Sequence, residues 1–176
     1  MQKTITGKMK GATMVLMIGL VSMLPACTTQ TAVKDTGAAE VDTVKRVVWH
    51  VDYKDPMRLG RMLTSVNNMV ITYDSELADY DIRIVFLGAG IRFITSDPLK
   101  KTPFAEDKMM RKERKVLTER LLSAMSQGIK LEVCKVTTDA LGVDDATILK
   151  GATLVPSGVV RIVELQSKGY GYLKAD

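Results

Sequence analysis

From residue 44 onward, apolar positions recur with two periods, and their succession predicts the elements. Val47-Val48-Trp49-His50-Val51 is a short apolar run rich in β-branched and aromatic residues, as in a buried parallel strand. Asp55-Pro56 then opens a helix, with Asp55 as N-cap and Pro56 at the first helical position. Leu59, Leu63, Val66, Val70, Tyr73 and Leu77 follow at helical spacing and form one stripe. A second strand, Ile82 to Leu87, ends at Gly88-Ala89-Gly90, which reads as a tight strand exit. After an irregular stretch around Ser96-Asp97-Pro98, a long helix is expected from about Phe104 to Met125, with Met110, Leu117, Leu121 and Ala124 inward. Gly128 closes it, and Ile129 to Val133 is a third strand. The clean alternation of that strand predicts one partly covered face, near a sheet edge or a contact between copies. A short helix from about Thr137, a brief strand at Thr153-Leu154-Val155, a helix over Val159–Lys168 stopped by Gly169, and a last strand at Tyr170–Leu173 complete the chain. Strands alternating with helices predict an α/β domain, three-layer α/β/α with a mainly parallel sheet.

The chain before this domain has a different character. Lys3, Lys8 and Lys10 precede a 13-residue, mostly apolar run from Ala12 to Leu24, with no acidic residue before Cys27. Spanning a bilayer takes about 20 residues, so the run fits a signal-peptide core rather than a transmembrane helix. It ends in Leu24-Pro25-Ala26-Cys27, which resembles a bacterial lipobox, and residues 1–26 are expected to be a lipoprotein-type signal peptide. Cys27 would then be acylated and become the new N-terminus; an ordinary secretory leader with a chance cysteine is the alternative. Thr28 stands where an inner-membrane retention signal has Asp, which points to a periplasm-facing lipoprotein of the outer membrane. Residues 27–43, small and polar, read as the lipidated N-terminus and a flexible linker to a domain over 44–176.

Removing the leader changes the charge argument. The whole chain has 25 basic and 20 acidic side chains; three of the lysines lie in the leader, so the mature chain carries 22 against 20. A near-neutral domain with few aromatics has no electrostatic footprint for nucleic acid. The basic run Arg111 to Lys115 lies mid-helix around Glu113 and reads as a solvated face.

In parallel sheets, reactive groups gather beyond the carboxyl ends of the strands. That rule selects His50 and Asp52, Gly88 to Gly90, Cys134, and Pro156 to Gly158. With Cys27 acylated, Cys134 is a lone thiol. It ends a strand before a helix start, with Lys135 adjacent, and both neighbours favour thiolate. A small buried hydrophobe is the equal alternative. His50, the only histidine, reads as a structural side chain more readily than as a base, and Ser157 as a helix cap. No nucleophile elbow, metal-spaced ligands or phosphate loop appears, and no metal or cofactor is expected.

Gly128-Ile129-Lys130-Leu131-Glu132-Val133-Cys134, followed by a short helix to Leu141-Gly142-Val143, resembles the strand-cysteine-helix segment of the DsrE/DsrF family, the DsrE/TusD-type sulfur-relay fold. The tail from Val155-Pro156-Ser157-Gly158 to Gly169-Tyr170-Gly171-Tyr172-Leu173 resembles the family's ending, and Val47 to Leu77 fits its start. The resemblance implies a five-stranded parallel sheet between helix layers and assembly into trimers or hexamers. It further implies that Cys134 carries sulfur as a persulfide and passes it to a partner thiol; the sulfur-relay members work in the cytoplasm, and the leader makes this chain an exported lipoprotein variant of that pattern. Two other readings stay open: a non-catalytic binding or assembly module in which Cys134 is packing, and a redox sensor in which Cys134 pairs between subunits.

Overall fold

A computed structural model describes residues 43–176; the leader, Cys27 and the linker through residue 42 lie outside the described residues. Five strands form one sheet: β1 (Lys45–Val51), β2 (Tyr80–Phe86), β3 (Lys130–Cys134), β4 (Thr153–Val155) and β5 (Gly171–Leu173). Their order is β4-β3-β2-β1-β5, and every pairing is parallel. The connecting helices are α1 (Pro56–Ser75), α2 (Lys108–Ser126), α3 (Lys135–Leu141) and α4 (Gly158–Ser167).

Strand parity sorts the core. Val47, Trp49 and Val51 of β1, Ile82, Ile84 and Phe86 of β2, and Leu131 and Val133 of β3 share one face with the inner stripes of α1 and α2. Leu59, Leu63, Val66 and Val70 of α1 are buried there, each worth about 1.5–3 kcal/mol of apolar transfer. The other face has a smaller cluster, Val48, Val85, Ile162, Leu165 and Tyr170, under α4.

Four expectations are corrected. The α1 stripe stops at Tyr73, because the helix ends at Ser75 and Leu77 turns left-handed (φ 53°) and 94% exposed. Helix α2 starts at Lys108 rather than near Phe104, because the Asp107 carboxylate takes the N-cap position and accepts from the Met110 amide at 2.8 Å. Helix α3 begins at Lys135, directly after β3 and earlier than Thr137. Finally, β3 lies one strand in from the sheet edge, but neither of its faces is partly covered, and its polar residue Glu132 is buried. The alternation there reflects a buried carboxylate, which accepts from Arg83 at 2.7 Å and from two Arg161 nitrogens at 2.7 and 2.8 Å.

The exit of β2 is tight, as expected. A 3-10 turn spans Gly88–Phe93, and a Cβ on Gly90 would sit 2.1 Å from the Val51 carbonyl oxygen, so only glycine fits.

Candidate functional site

The chain leaves β3 and β4 in opposite directions. After β3, Leu141 and Val143 join the core under α1 and α2; after β4, Ile162 and Leu165 of α4 cover the other face. Adjacent strands with diverging exits make a crevice at their carboxyl ends, the usual ligand position in open parallel sheets. Cys134 is the last residue of β3, paired with Val155 of β4, and so stands at this crevice.

Its thiol is buried at 4% exposure. Burial pushes the Cys134 pKa up. The Thr137 hydroxyl and the backbone amides of Gly158, Thr137 and Val136 outweigh burial and bring the thiol below its ordinary value. The Val136 amide also reaches the Pro156 carbonyl at 3.3 Å, so its share is smaller. Thr137 has a fixed polarity: its oxygen accepts from the Gly88 amide at 3.3 Å, which leaves its own proton free for sulfur. The exit of β2 therefore orients the group that stabilises a thiolate at the end of β3.

Gly158 closes the crevice from above. A Cβ there would lie 3.0 Å from the Cys134 Cβ and 3.2 Å from the Leu87 Cβ, so glycine lets α4 start this close without pushing either side chain aside. Ser157 caps α4, its hydroxyl accepting from the Val160 amide at 3.5 Å. It is thereby occupied beside the thiol rather than poised on it.

Lys135 does not act as its sequence position suggests. Its ammonium pairs with Asp139 within α3 and with Asp145 at 3.3 Å. Donors of the backbone and Thr137 take the role assigned to it.

His50 is not brought to Cys134. It pairs with Val85 in the register of β1 and β2, and β2 separates it from β3. On the opposite side, its Nδ1 meets the Tyr172 hydroxyl of β5 at 2.8 Å, and its Nε2 lies 3.6 Å from Asp52. Lys174 donates to the same carboxylate at 2.8 Å. Burial lowers the His50 pKa, Asp52 opposes this and Lys174 reinforces it; the net shift is downward, favouring neutral imidazole. This cluster fastens the last strand to β1.

Thr137, Gly158 and Gly88 were not singled out as thiol partners by sequence reasoning. The one available signal was positional, since all three follow strand ends. Arg92, within the Gly88–Phe93 turn, was missed altogether. It is 1% exposed and donates to the Lys54 and Ala105 carbonyls and to Asp107, joining the loop after β1 to the start of α2.

The chain is similar to several solved structures. The protein of unknown function MTH1491 from Methanobacterium thermoautotrophicum aligns at 25% identity and TM-score 0.57, covering 74% of this chain and 98% of that one. The conserved protein of unknown function BT1422 from Bacteroides thetaiotaomicron aligns at 15% identity and TM-score 0.51, covering 78% and 98%, and shares the fold. No curated protein matches the chain. The sequence profile described as the DsrE/DsrF-like family matches residues 51–175, which takes in every strand from the end of β1 onward and the whole crevice around Cys134. The five-stranded parallel sheet and the profile agree, and the chain belongs to the DsrE/DsrF-like family.

Proposed function

We propose that this DsrE-like protein is anchored in the cell envelope through Cys27 and binds and relays sulfur as a persulfide on Cys134. The observation that carries the reading is the set of donors around the Cys134 sulfur: the Thr137 hydroxyl and the amides of Gly158, Thr137 and Val136. These favour the anion, and an anion is what both attack on a sulfur donor and storage of a persulfide require. In the step proposed, the Cys134 thiolate attacks the outer sulfur of a persulfide or polysulfide donor. A new sulfur–sulfur bond forms, the donor's own bond breaks, and the donor leaves as a thiolate or shortened polysulfide. Attack by an acceptor thiolate on the outer sulfur returns Cys134 to thiolate. Sulfane sulfur moves without an external oxidant or reductant.

The 4% exposure of Cys134 favours a second reading, a binding module in which the thiol only packs. One experiment separates the two. The folded full chain is alkylated with a small reagent across a pH series, then treated with polysulfide and weighed by mass spectrometry. Under the relay reading the folded thiol reacts with a midpoint below the free-cysteine value of about 8.5 and gains the mass of added sulfur. A thiol silent until denaturant is added assigns Cys134 to packing and overturns the relay.

Anchoring has its own readout, membrane pelleting and N-terminal mass of the native chain against a Cys27→Ser variant. Loss of both the added lipid mass and pelleting is expected. Assembly of identical copies belongs to the same proposal, with α4 as the contact: its Val159, Val160 and Val163 are 61%, 54% and 61% exposed.

A further inference from the structure

Positive charge in this protein is concentrated in one segment. Residues 100–115 hold seven basic and three acidic side chains, which leaves 15 basic against 17 acidic over the rest of the mature chain. The three-dimensional arrangement sharpens the imbalance. Asp107 is used as the α2 N-cap and as the partner of buried Arg92 at 3.1 Å, and Glu106 pairs with Arg114. Glu113 and Glu119 are the acidic side chains that remain among the outward cations of α2. Lys108, Arg111, Lys112 and Lys115 lie at i, i+3, i+4 and i+7 of α2 and are all exposed, while Met110, Leu117, Leu121 and Ala124 take the buried side. Lys112 and Lys115 reach Glu113 and Glu119 only at 3.7 and 4.0 Å, and their side chains stay 81% and 87% exposed. Lys100 and Lys101 are exposed in the turn that leads into the helix.

This cationic strip is bordered by exposed apolar side chains. Met109 and Val116, one heptad apart, are each 50% exposed, and Leu122 is 46% exposed. Lysine ammoniums that reach outward between apolar side chains suit a surface with anionic headgroups above and acyl chains just beneath. Nucleic acid is a poorer fit, because none of these exposed positions is aromatic and no base-stacking platform accompanies the charge.

We infer that the outer face of α2 is a docking surface for an anionic lipid bilayer, laying the domain on the membrane with α2 toward the headgroups. The inference rests on the proposed envelope location. Sixteen residues separate Cys27 from the domain, a stretch that spans at most about 55 Å when fully extended. The α2 face is then never far from the bilayer, and a weak electrostatic contact suffices to set orientation. Docked in this way, α2 faces the lipid, and α4, on the opposite side of the sheet, faces away from it.

The test reads orientation and does not depend on acylation. Val116→Trp on α2 and Val163→Trp on α4 replace exposed valines in the full chain, while the native Trp49 is 7% exposed and gives a constant background. Each variant is mixed with phosphatidylcholine vesicles with and without phosphatidylglycerol, in the presence of a bromolipid quencher. The inference expects a blue shift and quenching at position 116 only, with anionic vesicles only, reversed by added salt. Lys112→Glu with Lys115→Glu in the Val116→Trp background is expected to weaken vesicle binding about tenfold or more. Equal responses at 116 and 163, no response at 116 in a vesicle-bound chain, or insensitivity to the charge reversal would overturn it. A response of Val116→Trp to duplex DNA that matches the vesicle response would assign the strip to nucleic acid and equally overturn the lipid assignment. A soluble native chain without lipid on Cys27 would refute the anchor and leave this vesicle result standing on its own.

Discussion

At the scale of single residues, the proposed function turns on what stands beside one sulfur atom. Burial alone would hold Cys134 as a thiol. A hydroxyl whose oxygen is engaged by the Gly88 amide, together with the backbone amides around it, outweighs burial and brings the thiol below its ordinary pKa. Thr137→Val keeps the shape of the side chain and removes its proton. A hydrogen bond to a charged group is worth about 1.5–3 kcal/mol, so the neutral-pH alkylation rate of the folded protein should fall about ten- to a hundredfold. The same change leaves the Gly88 amide without its acceptor, which should cost about 1–3 kcal/mol in urea melts, so the rate is read well below the denaturation midpoint. An unchanged rate would mean that the amides stabilise the thiolate without help from Thr137.

At the scale of elements, the short helix α4 covers a sheet face that carries charge at its centre. Burial would raise the Glu132 carboxyl, but the Arg161 and Arg83 hydrogen bonds outweigh it and hold the group below the usual carboxylate range. Asp81, also buried in part, is held lower still by Arg83 and Lys130. Depressed carboxyls bind fewer protons in the folded chain than in the unfolded one. Their contribution is therefore complete above about pH 5, and it is lost as pH falls through the ordinary carboxylate range toward the depressed folded values. Glu132→Gln should flatten this acid limb in urea melts collected across pH. At neutral pH it should cost about 3–5 kcal/mol, since two arginines lose their shared counter-charge. An acid limb as steep in the variant as in the parent would place the proton uptake elsewhere.

At the scale of the whole molecule, the two sides of the sheet present different surfaces. The α1 and α2 side holds the large core and presents a cationic outer surface, whereas the α4 side has a small core and leaves three valines in solvent. If copies assemble through α4, Val160→Lys with Val163→Lys should convert the assembly to monomers in sedimentation, with the helix content unchanged. A wild-type chain that sediments as a monomer, or variants that stay assembled, would remove α4 from that role.

Local chemistry in the sequence already determined most of the framework. Period-two and period-3.6 apolar patterns, an Asp55-Pro56 helix start and glycine stops depend only on near neighbours, so the element order and the parallel α/β class were legible. The same rule of strand ends picked out the positions of Cys134, His50, Asp52, Gly88 and Ser157. What it left open was which of them meet, because that depends on strand order and on the direction in which each connection leaves the sheet. The tertiary structure put β2 between His50 and Cys134 and joined His50 to Tyr172 instead. It turned Lys135 toward Asp139 and Asp145 and seated Gly158 over the thiol. It also buried Glu132 between two arginines distant in sequence, where alternation alone read as exposure. Burial of a charge and convergence of donors on one sulfur are properties of distant chain segments packed together, and no local pattern encodes them.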